Sequence, residues 1–147
     1  MDIDNLSDAE VVKLIKEIKY FLDNPQISIP ILEKFKCTEN VRDKVNGIEY
    51  KLHAYRGNIN TKYSIHIRFS DNNIHLVRLC INGTPHINRL DNTKVSGSHL
   101  HIYNSNDPGY SYTYDLKKYG NFISTDDLAK SFDKFLEFVK IQTDDNI

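Results

Sequence analysis

The stretch "IEYKLHAYRGNINTKYSIHIRFSDNNIHLVRLCI", residues 48–81, decides the fold. Ile48, Tyr50, Leu52 and Ala54 alternate with Glu49, Lys51, His53 and Tyr55, and Tyr63, Ile65, Ile67 and Phe69 alternate with Lys62, Ser64, His66 and Arg68. A period of two puts one set of side chains on each side of a strand, so both segments read as strands buried on one face. "NIHLVRLCI" is apolar at nearly every position, as a central strand covered on both sides requires. Gly57-Asn58 and Asp71-Asn72-Asn73 break the chain between them and favour short antiparallel connections.

Outward from this centre, "HLHIY" (99–103) and "YSYTYDL" (110–116) alternate again, set apart by Gly83-Thr84-Pro85, Gly97 and Pro108-Gly109. Towards the N-terminus the period changes. Ser7 with Glu10 is a capping-box pair, and Val11, Leu14, Ile15, Ile18 and Leu22 follow at helical spacing, with Pro25 as a stop. Towards the C-terminus, Ser124 with Asp127 opens a second helix striped by Leu128, Phe132, Phe135, Leu136 and Val139. The reading is an α+β fold: a five-stranded, mainly antiparallel sheet with N- and C-terminal helices packed on one face, as a single domain over residues 1–147.

Composition narrows the function. Nineteen Lys and Arg stand against twenty Asp and Glu, a net charge of −1. Such a balance supplies no basic field for phosphates, so tight binding to nucleic acid is not expected. No apolar run approaches a membrane span, and the acidic start lacks the apolar core of a signal peptide, so the expected location is the bacterial cytoplasm. Cys37 and Cys80 are no disulfide framework. The abundance of Ile, Asn, Lys and Asp suits an AT-rich bacterial or phage genome.

Chemistry concentrates in one place. In a strand, residues two apart point the same way with Cα atoms about 6.6 Å apart, so His99 and His101 share a face. If Leu100 and Ile102 face the core, that face is the opposite one, and Arg78 and Cys80 of the neighbouring strand join it. "GTPHIN" delivers His86 from the end of that strand. His86, His99, His101 and Cys80 are all acceptable zinc ligands. The plainer alternative is a pair of polar residues on a solvated strand and a cysteine serving as a small core residue. His53 and His66 read as surface residues, and His75 falls on the other parity.

Weaker signals point nowhere in particular. Glu49-Tyr50-Lys51 resembles half of a restriction-type nuclease site, but Asp43 is too close upstream to complete it, and a solvated charge pair is the simpler reading. Tyr110, Tyr112 and Tyr114 share one parity and read as cross-strand packing, or as a binding surface if exposed. No phosphate-binding glycine loop, H-E-x-x-H helix or nucleophile elbow is present.

Residues 78–116, "RLCINGTPHINRLDNTKVSGSHLHIYNSNDPGYSYTYDL", resemble the DUF6978-like family of small uncharacterised bacterial and phage proteins. The pattern is carried by Arg78, Gly83, Pro85-His86, Asn88, His99, His101 and Tyr103, with Arg89 where that family usually has proline. The resemblance implies that His86, His99 and His101 act together and carries no enzymatic activity. The chain is also similar, in size, composition and histidine cluster, to anti-CRISPR proteins, the phage inhibitors of type II effector nucleases. That similarity implies a non-enzymatic protein that binds a type II CRISPR effector nuclease away from its DNA channel and holds a structural zinc through His86, His99, His101 and Cys80. The alternative from a different class is a zinc-dependent hydrolase or nuclease using His86, His99 and His101 with an open water position. A host-takeover or toxin–antitoxin partner without metal is the third.

Overall fold

The structure is a computed structural model that describes residues 1–143. Ser7 caps the first helix, α1 (Asp8–Lys16), by accepting the Glu10 amide at 3.2 Å, while the Glu10 carboxylate accepts the Ser7 amide at 3.0 Å. Val11 and Leu14 are its buried face. The helix does not run on to Leu22 as the apolar spacing predicts. It ends at Lys16, and Lys19–Phe21 become β1, hydrogen-bonded between two other strands. Tyr20 and Phe21 suit a pleated surface, and pairing on both sides outweighs the small helix preference of this segment.

Seven further strands follow: β2 (Phe35–Asp43), β3 (Glu49–Arg56), β4 (Tyr63–Phe69), β5 (His75–Ile81), then β6 (His86–Ile87), β7 (Lys94–Val95) and β8 (His99–Ile102). After β9 (Tyr112–Asp115) come α2 (Leu128–Phe138) and β10 (Ile141–Gln142). The main sheet has eight strands in the order β10-β1-β2-β3-β4-β5-β8-β9, and β6 pairs with β7 as a separate ribbon. All its pairs are antiparallel except β1 with β10. The expected five strands are therefore β3, β4, β5, β8 and β9. The others escape a pattern search because β1 and β10 are two or three residues long and β2 carries polar residues at most positions. Their backbones are organised by partners distant in sequence.

Asp127, not Ser124, caps α2, accepting the Lys130 amide at 2.8 Å. Phe132 and Phe135 of α2 join Val11 and Leu14 in one apolar cluster with Leu52, Ile67, Leu79 and Leu100 of the sheet. Lys19 ties the helix ends together. It is fully buried, and its Nζ donates to the carbonyls of Leu14 (2.6 Å), Glu17 (2.9 Å) and Val139 (2.7 Å). A cation at helix C-termini neutralises their partial negative charge and satisfies orphan carbonyls. Burial nevertheless lowers its pKa to about 8.

Register sorts the sheet into two faces. Leu52, Ile67, Val77 and Ile102 lie side by side across four strands, as do Ala54, Ile65, Leu79 and Leu100. The opposite face carries a polar row, Thr38, His53, His66, Arg78, His101 and Thr113, crossing six strands. Next to it run Tyr55, Ser64, Cys80, His99 and Asp115. The expected side for His99, His101, Arg78 and Cys80 is the one observed.

Candidate metal centre

Cys80 of β5 and His99 of β8 are direct cross-strand partners, and His101 lies two residues further along β8. Strand geometry alone thus converges three side chains, and their ligand atoms all lie within 4.8 Å of one another. Ligands at about 2.0–2.3 Å around a tetrahedral ion stand about 3.3–3.8 Å apart, so the group needs only a small side-chain adjustment to share one. Cys80 and His99 are buried at 8% and 3% exposure, and His101 is half-buried.

The imidazoles are already oriented. His99 Nδ1 lies 2.8 Å from the Gly97 carbonyl, and because a carbonyl only accepts, the proton sits on Nδ1 and the Nε2 lone pair is free. His101 Nδ1 lies 2.9 Å from the Thr113 hydroxyl, which can accept a proton there when Nε2 takes an ion. Outer hydrogen bonds of this kind fix the ring orientation of metal-binding histidines. Burial pushes the His101 pKa down to about 3 and lowers that of His99, keeping both neutral and able to ligate, while it raises the Cys80 thiol. An ion must therefore displace the Cys80 proton to bind.

His86 arrives by another route. Its strand β6 pairs with β7, and Asn88, 2% exposed, anchors this ribbon to β9 through hydrogen bonds to both backbone groups of Thr113. That anchor sets the His86 ring 4.9 Å from His101 and 6.3 Å from His99, centre to centre. The close group is Cys80, His99 and His101. His86 stands beside it on the wall of a cleft.

That cleft, of about 800 Å³, has Cys80, His99, His101 and Arg78 in its lining, together with His75, His86, Lys62 and Tyr110. No Asp or Glu lines it among the described residues. Tyr110 is 59% exposed and lies outside β9, against the Arg89 guanidinium at 3.3 Å, so the expected three-tyrosine stripe is broken. Arg89, the departure from proline, is held by both oxygens of Asp107.

Two histidines are not where parity and polarity place them. β5 carries a bulge: Val77 faces Ile67, but His75 faces Arg68, leaving Leu76 as the extra residue. The bulge reverses parity, so His75 turns to the polar face and stacks on His66 at 4.1 Å and 15°. His66 is buried rather than on the surface. It packs against His53 on its other side at 5.1 Å and accepts from Arg68 at 2.7 Å. Burial holds His66 at about 2 and His75 at about 4. Every histidine of the chain therefore lies on this face or the ribbon beside it. A single sequence offers no signal for the bulge, nor for the role of Thr113 behind His101. By contrast, Glu49 and Lys51 are a surface pair, bound to Arg42 and Asn40.

No helix among the described residues is long and apolar enough to cross a membrane. Among curated proteins and among solved structures, none matches the chain. The similarity to anti-CRISPR proteins thus finds no support there. A family model does match, over residues 6–141, taking in both helices, the sheet and the histidine cluster: the chain belongs to DUF6978, a family of unknown function.

Proposed function

We propose that this protein binds one zinc ion through Cys80, His99 and His101, and that the ion serves a small molecule entering the cleft above it. The observation that carries the reading is the three-ligand group itself, gathered within 4.8 Å on the lining of a cleft. Structural zinc sites close their shell with four protein ligands, whereas catalytic sites keep three and leave a position open. Here Cys80, His99 and His101 would hold the ion, and all three line the cleft together with His86. A zinc-dependent hydrolase is the activity this arrangement supports best. Zinc would acidify a water in the open position, and His86 would act as the neighbouring base, because no carboxylate lines the cleft among the described residues.

Elemental analysis of protein purified without a histidine tag tests the site. One equivalent of zinc in the wild type and none in His101→Ala is the expected outcome. Less than about a tenth of an equivalent in the wild type, even after reconstitution with zinc, would leave the cluster as a set of buried polar side chains. Cobalt substitution then separates the two coordination modes: an absorption spectrum that changes on adding a small anion indicates an open position.

A second reading is inhibition of a type II CRISPR effector nuclease by protein–protein contact, in which the adjacent Ile31 and Leu32 would be contact residues. These side chains are 78% and 59% exposed, the kind of apolar surface that interfaces cover. In that reading zinc is structural and His86 completes the shell. Unchanged target cleavage by guide-loaded nucleases at large molar excess of this protein would remove it.

A further inference from the structure

Arg78 occupies the centre of the polar row, between His66 and His101. The other arginines have settled partners: Arg42 with Glu49, Arg56 with the carbonyls of Glu33 and Pro30, Arg68 with His66, Arg89 with Asp107. Arg78 shares a hydrogen bond with the Cys80 thiol but has no carboxylate partner among the described residues, and its Nε is buried without a hydrogen-bond partner. A guanidinium is charged at every ordinary pH, and even half-burying it, as here, without a counter-charge is costly.

The surroundings do not supply that counter-charge. Lys62 adds a second cation to the cleft, and no acidic side chain lines it among the described residues. Arg presents paired N–H donors that match the oxygens of a phosphate or carboxylate. Two cations with no opposing acid favour a dianion over a carboxylate. The cleft, at about 800 Å³, has room for more than a phosphate group, and Tyr55 and Tyr110 stand half or more exposed on its walls.

We propose that the cleft binds a phosphate-bearing small molecule, with the Arg78 guanidinium as its anchor and Lys62 as a second cationic contact. The proposal rests on reading this cleft as a ligand site, but not on the metal, because Arg78 is charged with or without zinc.

Calorimetric titration of inorganic phosphate and of AMP into zinc-free and zinc-loaded protein tests it, with acetate as the carboxylate control. Saturable binding of phosphate or AMP to both forms is expected, weakened at least about tenfold in Arg78→Met, since hydrogen bonds to charged groups are among the stronger ones. The ligand-free Arg78→Met protein should melt at the same or a higher temperature than wild type, because a half-buried cation without a carboxylate partner is removed. A melting temperature well below wild type would mark Arg78 as a structural residue and overturn the assignment. So would the absence of saturable binding of either probe to both forms, an undiminished affinity in Arg78→Met, or acetate binding as tightly as phosphate. Phosphate binding by a protein that takes up no zinc would sustain this proposal while the metal reading failed.

Discussion

Asn88 holds Thr113 at both backbone groups: its Nδ2 donates to the Thr113 carbonyl at 2.9 Å and its Oδ1 accepts the Thr113 amide at 2.8 Å. The pair joins the ribbon that carries His86 to the strand whose Thr113 hydroxyl meets His101. One side chain thus links the two sources of histidines. Asn88→Ala leaves a buried amide and carbonyl without partners, at about 1–3 kcal/mol each. The expected loss is about 2–6 kcal/mol by urea denaturation, together with freer motion of the His86 ribbon seen as faster amide exchange over residues 86–95.

Thr113→Val keeps the shape of the side chain and removes the hydroxyl behind His101. If His101 holds zinc, losing this outer contact should weaken binding about 10–100-fold. Competition against a chelator of known affinity measures it. Ser98→Ala, whose hydroxyl accepts the Asn82 amide at 3.0 Å outside the cluster, serves as the control and should leave zinc affinity unchanged.

Stability should depend on pH through the stacked histidines. Burial lowers His66 to about 2 and His75 to about 4 from the ordinary 6.5. Between these folded values and 6.5 the unfolded chain binds more protons than the folded one. The contribution is therefore complete above about pH 6.5 and is lost progressively as pH falls. Urea midpoints of the zinc-free protein should be level from pH 8 to 7 and decline from pH 6 towards 4. His75→Gln should make that decline shallower, and an unchanged slope would contradict the sign argument.

His66→Ala should destabilise the protein by about 1–3 kcal/mol, since it empties a buried site between two imidazoles and leaves the Arg68 donor unpaired. His53→Ala, at a half-buried position, should cost less. Thermal melts of the two variants decide this ordering.

Lys19→Met should be severe. It removes the donor shared by the Leu14, Glu17 and Val139 carbonyls at the ends of both helices. A cost of about 3 kcal/mol or more is expected, because several buried acceptors lose their partner at once. Chemical denaturation measures it, and a change under 1 kcal/mol would mean that water replaces Lys19 there.

What the sequence determined by itself is periodic and local. The alternation of residues 48–81 specified β3, β4 and β5 with their core-facing side, since side-chain direction in a strand depends on parity alone. The same rule put His99, His101, Arg78 and Cys80 on one face. Ser7 and Glu10 marked the start of α1 because capping is a contact between residues three apart. Tertiary structure decided the rest. Lys19–Phe21 became a strand only because β2 and β10 were there to pair with it. The bulge at Leu76 turned His75 towards His66, and bulges depend on the neighbouring strand's register. Which of the four expected ligands come closest was also settled in space. Cys80, His99 and His101 are fixed by one ladder of backbone hydrogen bonds, while His86 depends on a ribbon anchored 25 residues away in sequence. Parity can be read from a string of letters, but distance between strands and the company a charge keeps cannot.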